Sequence, residues 1–234
     1  MLYPRVNQMK KLIFLLLLGN CTTIGFHDTK LRKSIDFGKS AVIRLCVLKD
    51  VRLQNNKIKE LINNWNKELD YYNLKIEISN LKEWERPALF SSDIFREVMH
   101  HPIEKNCDRL LGFVAVNFGD YFFELLSYFI PTFMVLGTVD TATHTKGYIM
   151  AENFSIVQLI IGGPKSTLVH EGYHLLGCGH FSMKNCYNQI SKLKKLSQKN
   201  RASKIDFFPA LTEDSRVYTN REDVNLIFER AFPK

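Results

Sequence analysis

The feature that most constrains this chain is the spacing of three histidines within residues 170–180. His170 and His174 are four residues apart, so a helix places both imidazoles on one face, one turn from each other. Gly177 follows an apolar pair and can adopt the positive φ that ends a helix sharply. Such a turn brings His180 back towards the first two imidazoles. The spacing therefore predicts a helix, a glycine break and a single point at which three imidazoles meet.

Three neutral imidazoles are the ligand set of a catalytic zinc site, because they fill three positions of a tetrahedron and leave the fourth open to water. Glu171 lies next to the first histidine, where its carboxylate can reach that water. We therefore expect Zn²⁺ as the cofactor, with His170, His174 and His180 as its ligands. Glu171 is the expected catalytic residue, acting as the general base that takes a proton from the water.

The segment also carries a resemblance. Residues 170–180 resemble the HExxHxxGxxH signature of the metzincin metallopeptidases, with Gly177 matching the turn glycine. This resemblance implies zinc-dependent hydrolysis of peptide bonds in a protein or peptide substrate. It implies a metzincin-like domain over residues 40–234, with a twisted mixed β-sheet, an active-site helix and a C-terminal helix. An edge strand, residues 135–139 or 147–151, would pair with extended substrate.

The resemblance further implies a methionine in a tight turn beneath the zinc site. Met183 lies only three residues after His180, and Phe207 stands where the methionine would fall in the stretch 206–211. Either the turn methionine is replaced, or the basic segment between them is an insertion and Met183 serves ordinary packing. The subfamily is therefore left unassigned.

The first 21 residues have the pattern of an export signal. Lys10 and Lys11 precede the apolar run 12–18, which is too short to span a bilayer as a stable helix. Residues 18–21 resemble a bacterial lipoprotein signal, in which Cys21 would be lipidated, although Asn20 departs from the small residue usual there. We expect an envelope lipoprotein with residues 22–39 as a tether. Plain secretion and a buried N-terminal helix are the alternatives.

The charge of the chain points to no particular partner. The net charge is +8, but the lysines are scattered rather than clustered. The densest basic run, residues 192–201, alternates with uncharged residues, and we interpret it as a solvated helix face or a loop. No nucleic-acid-binding signature accompanies it, so no nucleic-acid partner is expected.

Four cysteines follow Cys21. An exported protein meets an oxidising compartment, in which disulfides are permitted. Cys178 and Cys186 are close in sequence and could form a bridge, whereas Cys46 is expected simply to be buried in a strand. Four cysteines allow three pairings, and spacing does not choose among them.

Strands and helices alternate along the first half, which predicts an α/β or α+β fold. The periodicity predicts strands over 41–48, 74–78, 110–116, 133–139 and 147–151, and helices over 51–70, 91–101 and 164–176. A last helix is expected to begin at a cap formed by Thr219. Residues 121–131 fit no period, and no role is assigned to His144.

Two other functions stay open. A metzincin-like envelope protein could keep zinc and bind a peptide or a surface partner without cleaving it, and the missing turn methionine favours this hypothesis. The intact Glu171 argues against it, since binding requires no general base. A metal-independent envelope protein would hold the motif by coincidence. A zinc amidase acting on cell-wall peptides is compatible with the same chemistry.

Overall fold

A five-stranded β-sheet organises the chain, in a computed structural model that describes residues 28–87, 89–127, 135–153, 163–180 and 183–233. Its strands are β1 (Ala41–Asp50), β2 (Leu74–Trp84), β3 (Arg109–Val114), β4 (Gly137–Val139) and β5 (Lys146–Met150), in the order β2-β1-β3-β5-β4. All neighbours are parallel except β4, which pairs antiparallel with β5. The predicted mixed α/β class is confirmed. Of the two expected edges, 147–151 is wrong, because β5 lies between β3 and β4.

The helices are α1 (Thr29–Ser34), α2 (Asn55–Leu69), α3 (Ser91–His100), α4 (Phe118–Ser127), α5 (Gly163–Leu175), α6 (Met183–Ala202) and α7 (Arg221–Ala231). A short hairpin of β6 (Ala210–Leu211) and β7 (Val217–Tyr218) precedes α7. Among the described residues, no helix combines the length and the apolar character that crossing a membrane requires. The predicted export signal, with Cys21, lies outside the described residues.

The sheet separates two apolar cores, because successive side chains of a strand point to opposite faces. In β1, Leu45 and Val47 belong to one core, whereas Cys46 and Leu48 belong to the other. The first core is completed by α2, α5 and α6, and the second by α3 and α7. Helix α5 packs in the first core against β4 and β5, which places the predicted site at the edge strand.

Cys46 is buried in β1, as expected, but it is bonded to Cys107 rather than free. Cys107 comes just before β3, and β3 is the strand that pairs with β1 at Cys46. The two cysteines are 61 residues apart in the sequence, and strand pairing brings their Cα atoms to 5.5 Å. The second bridge joins Cys178 and Cys186.

Two further expectations are corrected. Asn220, not Thr219, caps α7, since its side chain accepts a hydrogen bond of 2.8 Å from the Asp223 amide. The basic run lies in α6 and is not wholly solvated. Lys194 is buried there and donates to the carbonyls of Tyr72 and Asn73.

Part of the expected tether packs against the domain. Residues 28–39 include α1, and Phe37 is buried with its ring 5.0 Å from that of Tyr72. Of residues 121–131, which fitted no period, those up to Ser127 belong to α4 and 128–131 lie outside the described residues.

Candidate metal centre

Helix α5 and the loop after it bring three imidazoles together. His170 and His174 lie one turn apart on α5, and their Nε2 atoms are 3.3 Å from each other. His180 follows the helix, and one ring nitrogen of each histidine lies within 4.8 Å of the others. The ring centroid of His180 is 4.4 Å from that of His174 and 5.4 Å from that of His170. The described residues thus contain a group of three histidines that could hold a metal ion.

The spacing of these nitrogen atoms fits zinc. Tetrahedral zinc with bonds of about 2.0–2.1 Å places adjacent ligand nitrogens about 3.3–3.4 Å apart. The separation between the Nε2 atoms of His170 and His174 has this value. His180 is the exposed member of the group, and its ligand nitrogen lies within 4.8 Å of the other two. Nitrogen donors of this number and kind are those of a zinc site with one open position.

Gly177 produces the turn between the second and third histidines. Its φ is 82°, a conformation that favours glycine. The Gly177 amide donates to the His174 carbonyl at 2.8 Å, and the Cys178 amide donates to the Tyr173 carbonyl at 3.0 Å. This pair of bonds is a Schellman motif, which satisfies the last carbonyls of α5. A Cβ at position 177 would collide with the Leu211 carbonyl, so the turn also rests on β6.

Hydrogen bonding and burial keep the metal-facing nitrogens available. The Nδ1 of His174 donates to the Cys178 carbonyl at 2.7 Å, which leaves the lone pair on Nε2. Burial lowers the pKa of His174 to about 3 and that of His170 to about 4. Both imidazoles are therefore neutral at pH 7, and neutral imidazole is the form that binds a metal.

Glu171 is buried between α5 and the edge strand. Its side chain is 6% exposed, and burial raises the pKa of its carboxyl group to about 8. A Cβ on Gly137 of β4 would lie 2.8 Å from the Glu171 Cγ atom. The edge strand therefore passes directly against the Glu171 side chain, and a residue larger than glycine at position 137 would force one of the two to move.

His144, to which the sequence analysis assigned no role, holds the main chain of the candidate metal ligand His174. Its Nδ1 donates to the His174 carbonyl at 2.6 Å, and its φ is 57°. The buried Asp140 carboxylate holds this turn, since it accepts from the amides of Thr143, Thr145 and Lys146. In the sequence, the indication of this supporting turn was Asp140 at the start of a threonine-rich segment.

Arg109 is the second residue that sequence reasoning missed. It is 1% exposed at the start of β3 and donates to the carbonyls of Leu175, Phe208 and Pro209. The only signal in the sequence was a charged residue beside an apolar strand. Phe207 is buried in the same stretch, while the side chain of Met183 lies outside the described part of the chain.

No family model matches the chain, and no curated protein matches it. Among solved structures, the chain is similar to the archaemetzincin of Methanopyrus kandleri, with a TM-score of 0.38 and 15% identity. That similarity covers 68% of this chain and 96% of the other. What the site can do is therefore decided by its own residues.

The bridge between Cys178 and Cys186 ties the loop that carries His180 to α6. We predict that the double variant Cys178→Ala/Cys186→Ala weakens zinc binding about tenfold, because the loop loses an anchor two residues before the third histidine and no free thiol is left beside it. Competition with a chromophoric chelator measures the zinc dissociation constant. The double variant Cys46→Ala/Cys107→Ala is the control, since it removes a bridge in the other core and should retain zinc affinity. Equal losses of zinc affinity in both variants would show that the bridge between Cys178 and Cys186 has no specific role at the metal centre.

Proposed function

We propose that this chain is a zinc-dependent peptidase. The observation that carries the proposal is the convergence of His170, His174 and His180 beside the buried carboxylate of Glu171. The three imidazoles would hold the ion. When bound, zinc supplies a Lewis acid that polarises a carbonyl group and lets water act as a nucleophile near neutral pH.

Glu171 is the chain's own contribution to proton transfer. It follows His170 directly on α5, and its side chain lies under β4 rather than in bulk water. A cation held by the neighbouring histidines would favour the ionised form of this carboxyl group against the effect of burial, and we assign to the carboxylate the role of accepting the proton of the attacking water. The same oxygen then delivers the proton to the amine that leaves. Packing of the Glu171 side chain against Gly137 of β4 limits its movement, which favours this transfer.

The edge strand supports a peptide as the substrate. Within the described sheet, β4 is the last strand and pairs on one side only, with β5. An extended peptide can add to the other side through main-chain hydrogen bonds. Since Gly137 of β4 lies against Glu171, a peptide bound there would have its backbone beside the carboxylate. This geometry favours cleavage within an extended segment.

The direct test of the function uses the purified chain, loaded with zinc, and a mixed peptide library. We expect new peptide termini from the wild type and a rate lower by about 10²–10⁴-fold for Glu171→Gln, because the amide cannot accept the proton. Zinc content, measured by atomic absorption, serves as the control and should be the same in both. A zinc-loaded, folded wild type that cleaves no peptide would favour a binding protein instead.

A second prediction concerns the close approach of the edge strand. Gly137→Ala would displace Glu171 and lower kcat/KM by about 10- to 100-fold. Gly112→Ala is the matched control: its Cβ would meet Tyr148 and Val98 side-chain atoms at 3.2 Å, on the face away from α5. It should lower stability without a comparable loss of activity. Unchanged kinetics in a folded Gly137→Ala variant would refute this role for the strand.

We also propose export and attachment to the envelope through Cys21. The two disulfides of the domain support an oxidising compartment. In cells that are given a labelled fatty acid, the wild type should take up label and sediment with membranes, whereas Cys21→Ser should do neither. Label in both forms, or in neither, would contradict anchoring at this residue.

A further inference from the structure

Arg109 is among the largest fully buried side chains of the domain. In the described part of the chain, each hydrogen bond of its guanidinium ends on a main-chain carbonyl. Nε donates to Leu175 at 3.3 Å, Nη1 to Asp108 at 2.8 Å and to Phe208 at 3.0 Å, and Nη2 to Pro209 at 2.7 Å. One planar fork therefore joins β3, the end of α5 and the stretch before β6.

Burying a guanidinium cation among main-chain carbonyls costs more free energy than burying an apolar side chain at the same place. Burial lowers the pKa of Arg109 to about 10, which still leaves it charged at neutral pH. An apolar side chain of similar length would avoid the desolvation penalty. A flexible apolar chain, however, could not fix three segments relative to one another. The arrangement therefore favours a role in geometry over a role in packing.

The segments that Arg109 joins are those that set the metal ligands. Leu175 is the residue after His174, so its carbonyl lies at the exit of the ligand helix. Pro209 accepts from Nη2, and two residues further on Leu211 provides the carbonyl on which the Gly177 turn rests. Arg109 thus holds both the helix that carries two histidines and the support of the turn that leads to the third.

We propose that Arg109 is a positioning residue for the metal centre, which fixes the exit of α5 so that His180 meets the other two imidazoles. The inference rests on the proposed zinc site, and not on peptide cleavage. A displacement of about 0.5 Å among ligands is enough to weaken a metal site. Removing the fork should therefore reduce zinc affinity by more than the loss of stability alone would.

The test compares Arg109→Met and Arg109→Lys with a matched control, Lys146→Met. Lys146 is also a buried cation, and its Nζ donates to the carbonyls of Met99 and His101 at the end of α3, a helix without ligands. Circular dichroism confirms folding, urea unfolding of the zinc-free proteins gives stability, and chelator competition gives the zinc dissociation constant. The visible spectrum of the Co²⁺ forms reports ligand geometry.

We expect Arg109→Met to bind zinc at least about tenfold more weakly and to alter the Co²⁺ spectrum. Arg109→Lys should lie between it and the wild type, because lysine keeps the charge but loses the fork. Lys146→Met should lose stability while it retains zinc affinity and the spectrum. If Arg109→Met does not fold, Arg109→Lys decides by the same measurements.

A folded Arg109 variant with wild-type zinc affinity and spectrum would overturn the inference. An equal loss of affinity in Lys146→Met would overturn it as well, since the effect would then be general destabilisation. Failure of the peptidase proposal is distinguishable, because a wild type that binds zinc but cleaves nothing leaves the expected order of zinc affinities unchanged. A wild type that binds no zinc would overturn both.

Discussion

A sharp exit from a buried helix is the constraint on which the site depends. Two histidines can meet on one face of α5 through helical periodicity alone, but the third must return from a loop. The return is made by a Schellman motif at Gly177, and the turn leaves no room for a side chain against Leu211. The hairpin, the sheet and the helix must therefore be assembled before three imidazoles can share one ion.

The sheet supplies polar groups where that assembly needs them. Asp108 and Asp140 are buried carboxylates that accept main-chain amides, and Arg109 and His144 donate to carbonyls near the end of α5. Asp108 also pairs with Arg44 at 2.7 Å. The positive charge of Arg109 near the C-terminus of α5 opposes the partial negative charge there. Electrostatics and hydrogen bonding thus fix the end of α5, while the two apolar cores pack the helices against the sheet.

The sequence predicted those features of the structure that depend on interactions between residues close in the chain. The helix over 164–176, its end at Gly177 and the apolar strands all follow from residues close in sequence, and α5 differs from its prediction by one residue at each end. The residues that were missed act over distance. Arg109 bonds residues 66 to 100 positions away, and Cys46 meets Cys107 only because β1 and β3 pair. Thr219 and Asn220 are both good caps, so composition could not choose between them.

The bridge between Cys178 and Cys186 has a consequence for the order of maturation. As free thiols, these two cysteines would be soft donors within a few residues of His180, and thiolates compete well with imidazole for zinc. Oxidation removes both sulfurs from that competition while it holds the loop. A chain still in a reducing compartment therefore offers the ion a different set of ligands. On the export and zinc binding proposed above, correct loading would be favoured only after the chain reaches an oxidising compartment, which would separate synthesis of the protein from assembly of its metal centre.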